Sequence, residues 1–271
     1  MKTEKTNEYA AMFRMKLIEG LQYRAAAIAG VSTQFFFGLL FLMIYHAFYR
    51  FSPDQSMAFA DLASYNWLRQ AFLAIAAMWS QDNDLLESIA NGNVTYEFCR
   101  PYRMFDFWFA RLLATRIARV LLRCLPILAI AFFLPALWSM NPPGSAICLA
   151  LFLVSIALSA ALAVAISMFI YILTFTTLSS QGPRMLVSTL TDLFSGTIVP
   201  LPLIPAPLQT VLYCMPFAYM ADLPYRIYSG NIPPAQAVLG ISVQAAWIIA
   251  LYFLGRWSFD KVSARVVIQG G

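Results

Sequence analysis

The sequence predicts an all-α integral membrane protein with about six membrane-spanning helices. Three observations lead to this prediction. Apolar residue types make up 61% of the 271 residues and charged types 11%, whereas an ordinary soluble domain has about 45–50% apolar and about 25% charged residues. The apolar residues occur in blocks of about 20, the length that crosses about 30 Å of hydrocarbon at 1.5 Å per residue. The basic residues stand mainly between these blocks.

The N-terminal segment, residues 1–24, is expected to form a tail on the inner face of the membrane. Residues 5–24 carry apolar side chains at near-helical spacing, with charged and polar residues among them. The apolar positions are Tyr9, Met12, Phe13, Ile18 and Leu21. This pattern is typical of an amphipathic interfacial helix, and a frayed tail is the alternative.

A transmembrane domain is predicted over residues 25–256, followed by a C-terminal tail at 257–271. The first apolar block is too long for the core of a signal peptide, so we expect it to be a retained span. About six spans are predicted from length and apolar content. They cover residues 25–48, 58–79, 118–138, 145–173, 184–200 and 236–256.

The lysines and arginines predict the orientation of the chain. All but Arg50, Arg69 and Arg226 fall in the tails, around the start of the third span, or just before the fifth span. Basic residues are enriched on the cytoplasmic side of membrane proteins, so both termini are expected in the cytoplasm. This requires an even number of spans. Binding to nucleic acid is disfavoured, because the basic residues do not gather on one soluble face.

The segment 200–235 lies on the outer side in this orientation and is apolar between its many prolines. The prolines are Pro200, Pro202, Pro205, Pro207, Pro216, Pro224, Pro233 and Pro234. Unpaired backbone groups are costly in lipid. We therefore expect outer re-entrant short helices here, because a plain extracellular loop explains the apolar residues poorly.

A short helical element is predicted between the second and third spans, in the segment 82–103. Asp84 and Glu87 have the spacing of a capping box, so Asp84 is expected to cap the helix and Glu87 to reach back. An apolar face is formed by Leu85, Leu86 and Ile89. A turn at residues 91–93 and a further helical turn follow. A soluble partner would be able to grip such an element, and a loop helix lying on the membrane is the alternative.

Several kinds of catalytic site are absent from the sequence. It contains no Gly-x-x-x-x-Gly-Lys-Ser/Thr loop for nucleotide phosphates and no Gly-x-Ser-x-Gly elbow. His46 is the single histidine and the four cysteines form no Cys-x-x-Cys pair, so a metal site has little support. We expect the chain itself to bind no cofactor and to catalyse no reaction.

Charged residues within the predicted spans need a reason, because a charge at mid-bilayer costs about 2.5–3.5 kcal/mol. Asp61 and Arg69 are about 80° apart around a helix, so one cavity would accommodate both. Ion pairs with neighbouring helices, with Asp192 as one partner, are the favoured alternative.

Three arginines, Arg116, Arg119 and Arg123, form one stripe on the third span. The first two are expected to extend to the lipid headgroups. Arg123 lies deeper and is the candidate for binding an anion. On the fourth span, small residues at every fourth position predict close packing within the subunit. They are Ser155, Ser159, Ala163 and Ser167.

Two motifs resemble those of a known family. Gly92 and Pro101 are nine residues apart, with a short mixed helix between them. Farther along, the chain has a small residue, glycine, apolar residues and spaced prolines, namely Ser195, Gly196, Ile198, Val199, Pro200, Pro205 and Pro216. In these motifs, and over most of its length, the chain resembles the permease subunits of type-2 ABC exporters, in the branch with paired permease genes. It departs from the family where Phe98 and Cys99 replace the usual two leucines.

The resemblance implies a permease dimer, with an identical or related second permease, in the cytoplasmic (inner) membrane of a bacterium. Two copies of a separate ABC ATPase would bind ATP and Mg and would grip the segment 82–103. The expected coupling residues are Asp84, Leu85, Leu86, Glu87, Ile89, Gly92, Asn93, Val94, Tyr96, Arg100 and Pro101. The first, second and fifth spans would line the path at the dimer interface.

Polar and aromatic residues of these spans, together with Arg123, are the candidates for the translocation path. They are Gln34, Phe35, Phe37, Asp61, Arg69, Arg123, Thr189, Asp192, Ser195 and Gly196. Membrane lipid is the expected surrounding and nucleic acid is not an expected partner. A membrane-embedded enzyme acting on lipid and a non-transporting scaffold subunit are the alternatives.

Overall fold

A computed structural model describes residues 2–22, 24–51 and 57–264, with the side chains of residues 2–7 and 24–26 left out of the description. Over this part the chain is all-helical and contains no strand, which confirms the predicted class. The helices are α1 (Lys2–Gln22), α2 (Arg24–Phe51), α3 (Phe59–Ala71), α4 (Leu73–Ala76), α5 (Asn83–Ala90), α6 (Thr95–Phe98), α7 (Met104–Phe133), α8 (Ala146–Thr177), α9 (Gln181–Phe194), α10 (Ala206–Leu212), α11 (Pro216–Met220), α12 (Asp222–Tyr228) and α13 (Pro234–Ser263).

Among the described residues, three helices are long and apolar enough to cross a membrane. They are Ala27–Phe51 within α2, Ala146–Thr177, which is α8, and Pro234–Ser263, which is α13. These correspond to the predicted first, fourth and sixth spans. The chain is therefore consistent with a membrane protein, as its composition predicts.

The other three predicted spans have different bounds in the structure. Residues 58–79 form two helices, α3 and α4, interrupted at Phe72. The predicted third span is the second half of α7, which begins at Met104, ahead of all its arginines. α9 has 14 residues, which is about 21 Å of helix.

α8 lies at the centre of the molecule. Residues 162–168 are buried without a break, and α13, α12 and α7 pack around the helix. The Gln244 side chain of α13 donates hydrogen bonds to the Ser155 carbonyl and the Ser159 hydroxyl, both at 3.0 Å. The small-residue strip of α8 thus packs within the chain, as predicted.

The N-terminal residues form a helix, α1, rather than a frayed tail. α1 packs along α7, where Tyr9 lies with its ring centroid 6.3 Å from that of Phe107. Farther along, a Cβ on Gly20 would lie 2.6 Å from the Cβ of Ala118, so the glycine permits close contact. Its place at a membrane interface stays a prediction.

The proline-rich segment 200–235 contains short helices, as the sequence indicates. A 3₁₀ turn at Leu201–Leu203 precedes α10, α11 and α12. Prolines stand near the starts of α10 and α11, the positions at which the missing N–H costs least. Residues 265–271 of the predicted C-terminal tail lie outside the described residues.

Candidate functional site

The segment 82–103, here called the α5–α6 segment, begins at a cap that differs from the predicted one. Asp82, not Asp84, is the N-cap of α5, and its Oδ1 accepts a hydrogen bond from the Leu85 amide at 3.2 Å. Arg111 of α7 holds the same carboxylate at 2.7 and 3.0 Å. The Asp82 amide donates to the Tyr171 hydroxyl at 3.0 Å. The capping-box prediction is wrong because contacts from α7 and α8 fix the helix start two residues earlier.

The α5–α6 segment has an inner face and an outer face. Its apolar predicted coupling residues, Leu85, Leu86, Ile89 and Val94, are buried in the core. They attach the segment to the rest of the chain, so they are not available as contacts for a partner. The other predicted coupling residues are exposed, namely Asp84, Glu87, Gly92, Asn93, Tyr96, Arg100 and Pro101. Gly92 has a φ of +75°, a backbone conformation that favours glycine.

Trp108 of α7 links the α5–α6 segment to the ends of the long helices. Its Nε1 donates to Glu97 Oε2 at 2.7 Å. Its ring stacks on Phe175 of α8, with centroids 6.1 Å apart, and meets Phe259 of α13 edge to face at 5.3 Å. Three long helices therefore contact one aromatic cluster directly behind the segment.

At the other end of the molecule, Arg69 holds the turn that follows α9. This turn, residues 195–199, is here called the Gly196 turn. Arg69 Nη1 donates to the Thr197 carbonyl at 2.7 Å, and Nη2 donates to Asn66 Oδ1 at 2.9 Å. The guanidinium also lies over the Phe41 ring, 4.1 Å from its centroid. A buried charge is tolerated here because carbonyl and amide oxygens surround it.

The sequence predicts that Arg69 shares a cavity with Asp61 or forms an ion pair with a neighbouring helix, and its contacts differ from both predictions. Within the described residues it forms no ion pair with Asp61 or Asp192. Asp61 is partly exposed on α3. The Ser188 hydroxyl donates to Asp192 Oδ2 at 3.4 Å, and the Thr197 hydroxyl donates to the Asp192 main-chain carbonyl at 3.1 Å. Arg69 is thus a structural contact between α3 and the Gly196 turn.

A buried carboxylate, Asp222, lies beside the same turn. The Tyr65 hydroxyl donates to Asp222 Oδ1 at 3.0 Å, the Tyr213 hydroxyl donates to Oδ2 at 3.3 Å, and Arg226 lies 3.6 Å away. Burial raises the pKa of the Asp222 carboxyl, whereas Arg226 and the two hydroxyls act against that rise. A Cβ on Gly196 would lie 2.7 Å from the Tyr65 hydroxyl, so an added side chain would displace the tyrosine from its place beside Asp222.

No pattern in the sequence predicted this cluster as a unit. The available signal was the pair Asp222 and Arg226, at i,i+4 spacing in an otherwise apolar segment. Tyr65 and Tyr213 carried no such signal, because an isolated tyrosine in an apolar stretch does not indicate its partner.

The other path candidates lie in several different parts of the structure. Phe37 and Thr189 are exposed, on α2 and α9, whereas Phe35 stacks on Trp67 with centroids 5.6 Å apart. Ser195 is buried in the Gly196 turn, with its hydroxyl 3.0 Å from that of Thr197. Gln34 and Arg123 line one cavity. The structure thus brings Arg69, Ser195 and Gly196 together at one end and Gln34 and Arg123 together elsewhere.

Arg116 does not extend to the headgroups as the sequence predicts, and Arg119 is held by a residue that follows α4. Arg116 is 4% exposed and donates to the Ile75 carbonyl and to Met78 Sδ. Arg119 donates to the carbonyl and the hydroxyl of Ser80, at 3.1 and 2.8 Å. The prediction is wrong for Arg116 because α4 and the chain after it present carbonyl oxygens to α7, and the two arginines donate hydrogen bonds to them.

α2 and α9 each leave an apolar face uncovered. On α2 it includes Phe36, which is 63% exposed, and Met43, which is 57% exposed. On α9 it includes Met185 and Leu186, which are 71% and 56% exposed. Lipid or a second protein chain is expected to cover such faces.

No protein-family model matches this chain, and no curated protein matches it.

Proposed function

We propose that the chain is the membrane-spanning permease subunit of an ATP-driven ABC exporter, and that its α5–α6 segment contacts a separate ATPase. The attachment of this segment supports the proposal most strongly. Its inner face is fixed by the pair Asp82–Arg111 and by Trp108, whereas Tyr96 on the outer face is 77% exposed. A movement of the partner would therefore be transmitted to α7, α8 and α13. ATP and Mg would be bound by the partner and not by this chain.

The proposed topology has about six spans. The proposed spans are α2, α8 and α13, together with α7, α9 and the pair formed by α3 and α4. In this topology α1 lies at the inner interface. The distribution of basic residues supports cytoplasmic termini. The proposed location is the cytoplasmic membrane of a bacterium.

A second permease, identical or related, is the proposed cover for the apolar faces of α2 and α9. Both faces carry large exposed side chains. In the proposed dimer the path lies between the two permeases, and Phe37 and Thr189 face it. Arg69, Ser195 and Gly196 then support the wall of the path from behind.

The experiment is affinity purification of the tagged full chain in mild detergent, with mass spectrometry of the proteins that come with it. A stoichiometric protein with a Walker motif is expected. Tyr96→Ala is expected to reduce its recovery, because the exposed ring is lost from the proposed contact. The matched control is Phe133→Ala, which removes a 90% exposed ring at the far end of α7.

Two other outcomes contradict the proposal. Purification of the chain alone, with an activity on lipid that one polar substitution removes, indicates a membrane enzyme. Purification with partners that have no nucleotide site indicates a scaffold.

A further inference from the structure

Arg119 and Arg123 of α7 are shared by two cavities. The larger has a volume of about 400 Å³ and is lined also by residues of α1 and by the start of α5. The smaller has a volume of about 220 Å³ and is lined by Gln34 of α2, by Leu73 and by Trp79, among others. The two guanidinium groups therefore line both cavities, and each cavity has polar and apolar walls.

Arg123 has no neutralising partner within the described residues. It forms no ion pair and donates no hydrogen bond there. A Cβ on Gly30 would lie 2.8 Å from the Cζ atom of Arg123. The missing side chain at residue 30 thus makes room for the guanidinium against α2, where a partly buried charge stands unpaired.

Gln34 follows Gly30 by one helical turn and is 4% exposed. Neither its Oε1 nor its Nε2 has a hydrogen-bond partner in the described part of the chain. A buried amide without a partner is unfavourable, and nearly all such groups in folded proteins are satisfied. The amide can donate hydrogen bonds to an anion placed beside Arg123.

The carboxylates of the larger cavity do not cancel the two arginines. Glu19 pairs with Lys16 at 2.8 Å, and Asp82 pairs with Arg111 at 2.7 Å. Asp84 is exposed on α5. Arg119 donates to Ser80, which is neutral. An excess of positive charge therefore remains between the cavities.

We infer that Arg119, Arg123 and the Gln34 amide bind the phosphate group of a membrane amphiphile. Guanidinium groups bind phosphate with paired hydrogen bonds. An amphiphile fits better than a soluble phosphate, because Leu73 lines the smaller cavity and Trp79, which is 54% exposed, lines it too. Tryptophan is common at the level of lipid headgroups. The inference goes beyond the proposed function, since this site requires neither an ATPase nor transport.

The test is a binding titration of the purified full chain in a neutral detergent. Native mass spectrometry measures the fraction of the chain that has bound each probe. The probes are phosphatidic acid, inorganic phosphate and diacylglycerol. Phosphatidic acid is expected to bind saturably, and Arg123→Gln is expected to weaken this binding at least about tenfold. Arg14→Gln, an equal charge change at an exposed position on α1, is expected to leave it unchanged.

A second variant, Gln34→Leu, separates binding from folding. It is expected to weaken binding of phosphatidic acid and to raise the melting temperature of the ligand-free chain, because it removes a buried unpaired amide. A higher melting temperature with unchanged binding would overturn the role of Gln34.

Three results would overturn the inference as a whole. Equal binding of phosphatidic acid by Arg123→Gln and the natural chain would exclude this site. Equal affinity for diacylglycerol would exclude recognition of phosphate. Inorganic phosphate binding as tightly as phosphatidic acid would identify a soluble ligand in place of a membrane amphiphile.

Discussion

At the scale of single residues, Arg69 shows how one buried charge can join two distant parts of the chain. It is 2% exposed and satisfies backbone carbonyls of the Gly196 turn, which is more than 120 residues away in sequence. Its removal would take this donor from the Thr197 carbonyl, whereas the Ile198 carbonyl would keep a hydrogen bond from the Tyr45 hydroxyl. The same neighbourhood requires a glycine, because Gly196 has a φ of +81° and contacts the Tyr65 hydroxyl.

Arg69→Met is expected to lower the free energy of unfolding by about 3 kcal/mol, because the Thr197 carbonyl, the Asn66 side chain and the Tyr45 hydroxyl lose their donor. Thermal unfolding in mild detergent measures the effect. Arg50→Met, at an exposed position on α2, is the control and is expected to change little. Unchanged stability of Arg69→Met with lost transport would instead identify Arg69 as a gate.

Gly196→Ala is expected to lower the free energy of unfolding by about 1–3 kcal/mol, because the backbone conformation is strained for alanine and its Cβ meets Tyr65. Gly182→Ala is the matched control, since an added Cβ there has nothing within 4 Å. Residue 182 is helical, so alanine is expected to be neutral or slightly stabilising there. Equal melting temperatures for the two variants would contradict the description of the Gly196 turn.

At the scale of elements, α5 shows that a sequence can predict a helix without predicting the residue at which it begins. The pair Asp84 and Glu87 has the spacing of a capping box, yet Asp82 caps the helix. The decisive contacts come from Arg111 and Tyr171, which are distant in sequence. A local motif predicts that a helix is present, but tertiary contacts determine where it begins.

Asp82→Ala is expected to destabilise the α5–α6 segment by about 1–3 kcal/mol, because it removes both the helix cap and the partner of Arg111. Asp84→Ala is expected to have an effect below about 0.5 kcal/mol, as is usual for an exposed site. Hydrogen exchange of the amides of residues 83–90 checks both. Faster exchange in Asp84→Ala than in Asp82→Ala would restore the capping box predicted from sequence.

The predicted spans likewise depend partly on local sequence and partly on contacts between distant segments. The helical class and the three long apolar helices α2, α8 and α13 were predictable, because length and apolar content are properties of a continuous segment. The interruption at Phe72 and the early start of α7 were not. Arg116 and Arg119 lie inside α7 and bind α4 and the chain after it, and no pattern within α7 indicates those partners.

At the scale of the whole molecule, the two ends are built differently. One end carries the α5–α6 segment on the aromatic cluster of Trp108, Phe175 and Phe259. The other end carries the Gly196 turn and the short helices around Asp222. α8 and α13 extend from one end to the other, so they connect the proposed ATPase contact with the proposed path.

The proposed dimer predicts a cross-link through α2. Phe37→Cys, with exposed Cys99 and Cys214 replaced by serine, is expected to form a disulfide-linked or reagent-linked pair with an adjacent permease in membranes. Leu153→Cys on α8, where the leucine is 55% exposed, is the control and is expected to remain unlinked. Linking at residue 153 alone would place the interface on α8.

The most direct test of the central claim is ATP hydrolysis by the affinity-purified material, measured before and after the partner proteins are stripped from the tagged chain. The expected result is hydrolysis in the intact complex, a clear loss with Tyr96→Ala, and none from the chain alone. Hydrolysis by the stripped chain would contradict it, as would an intact preparation that contains no ATPase.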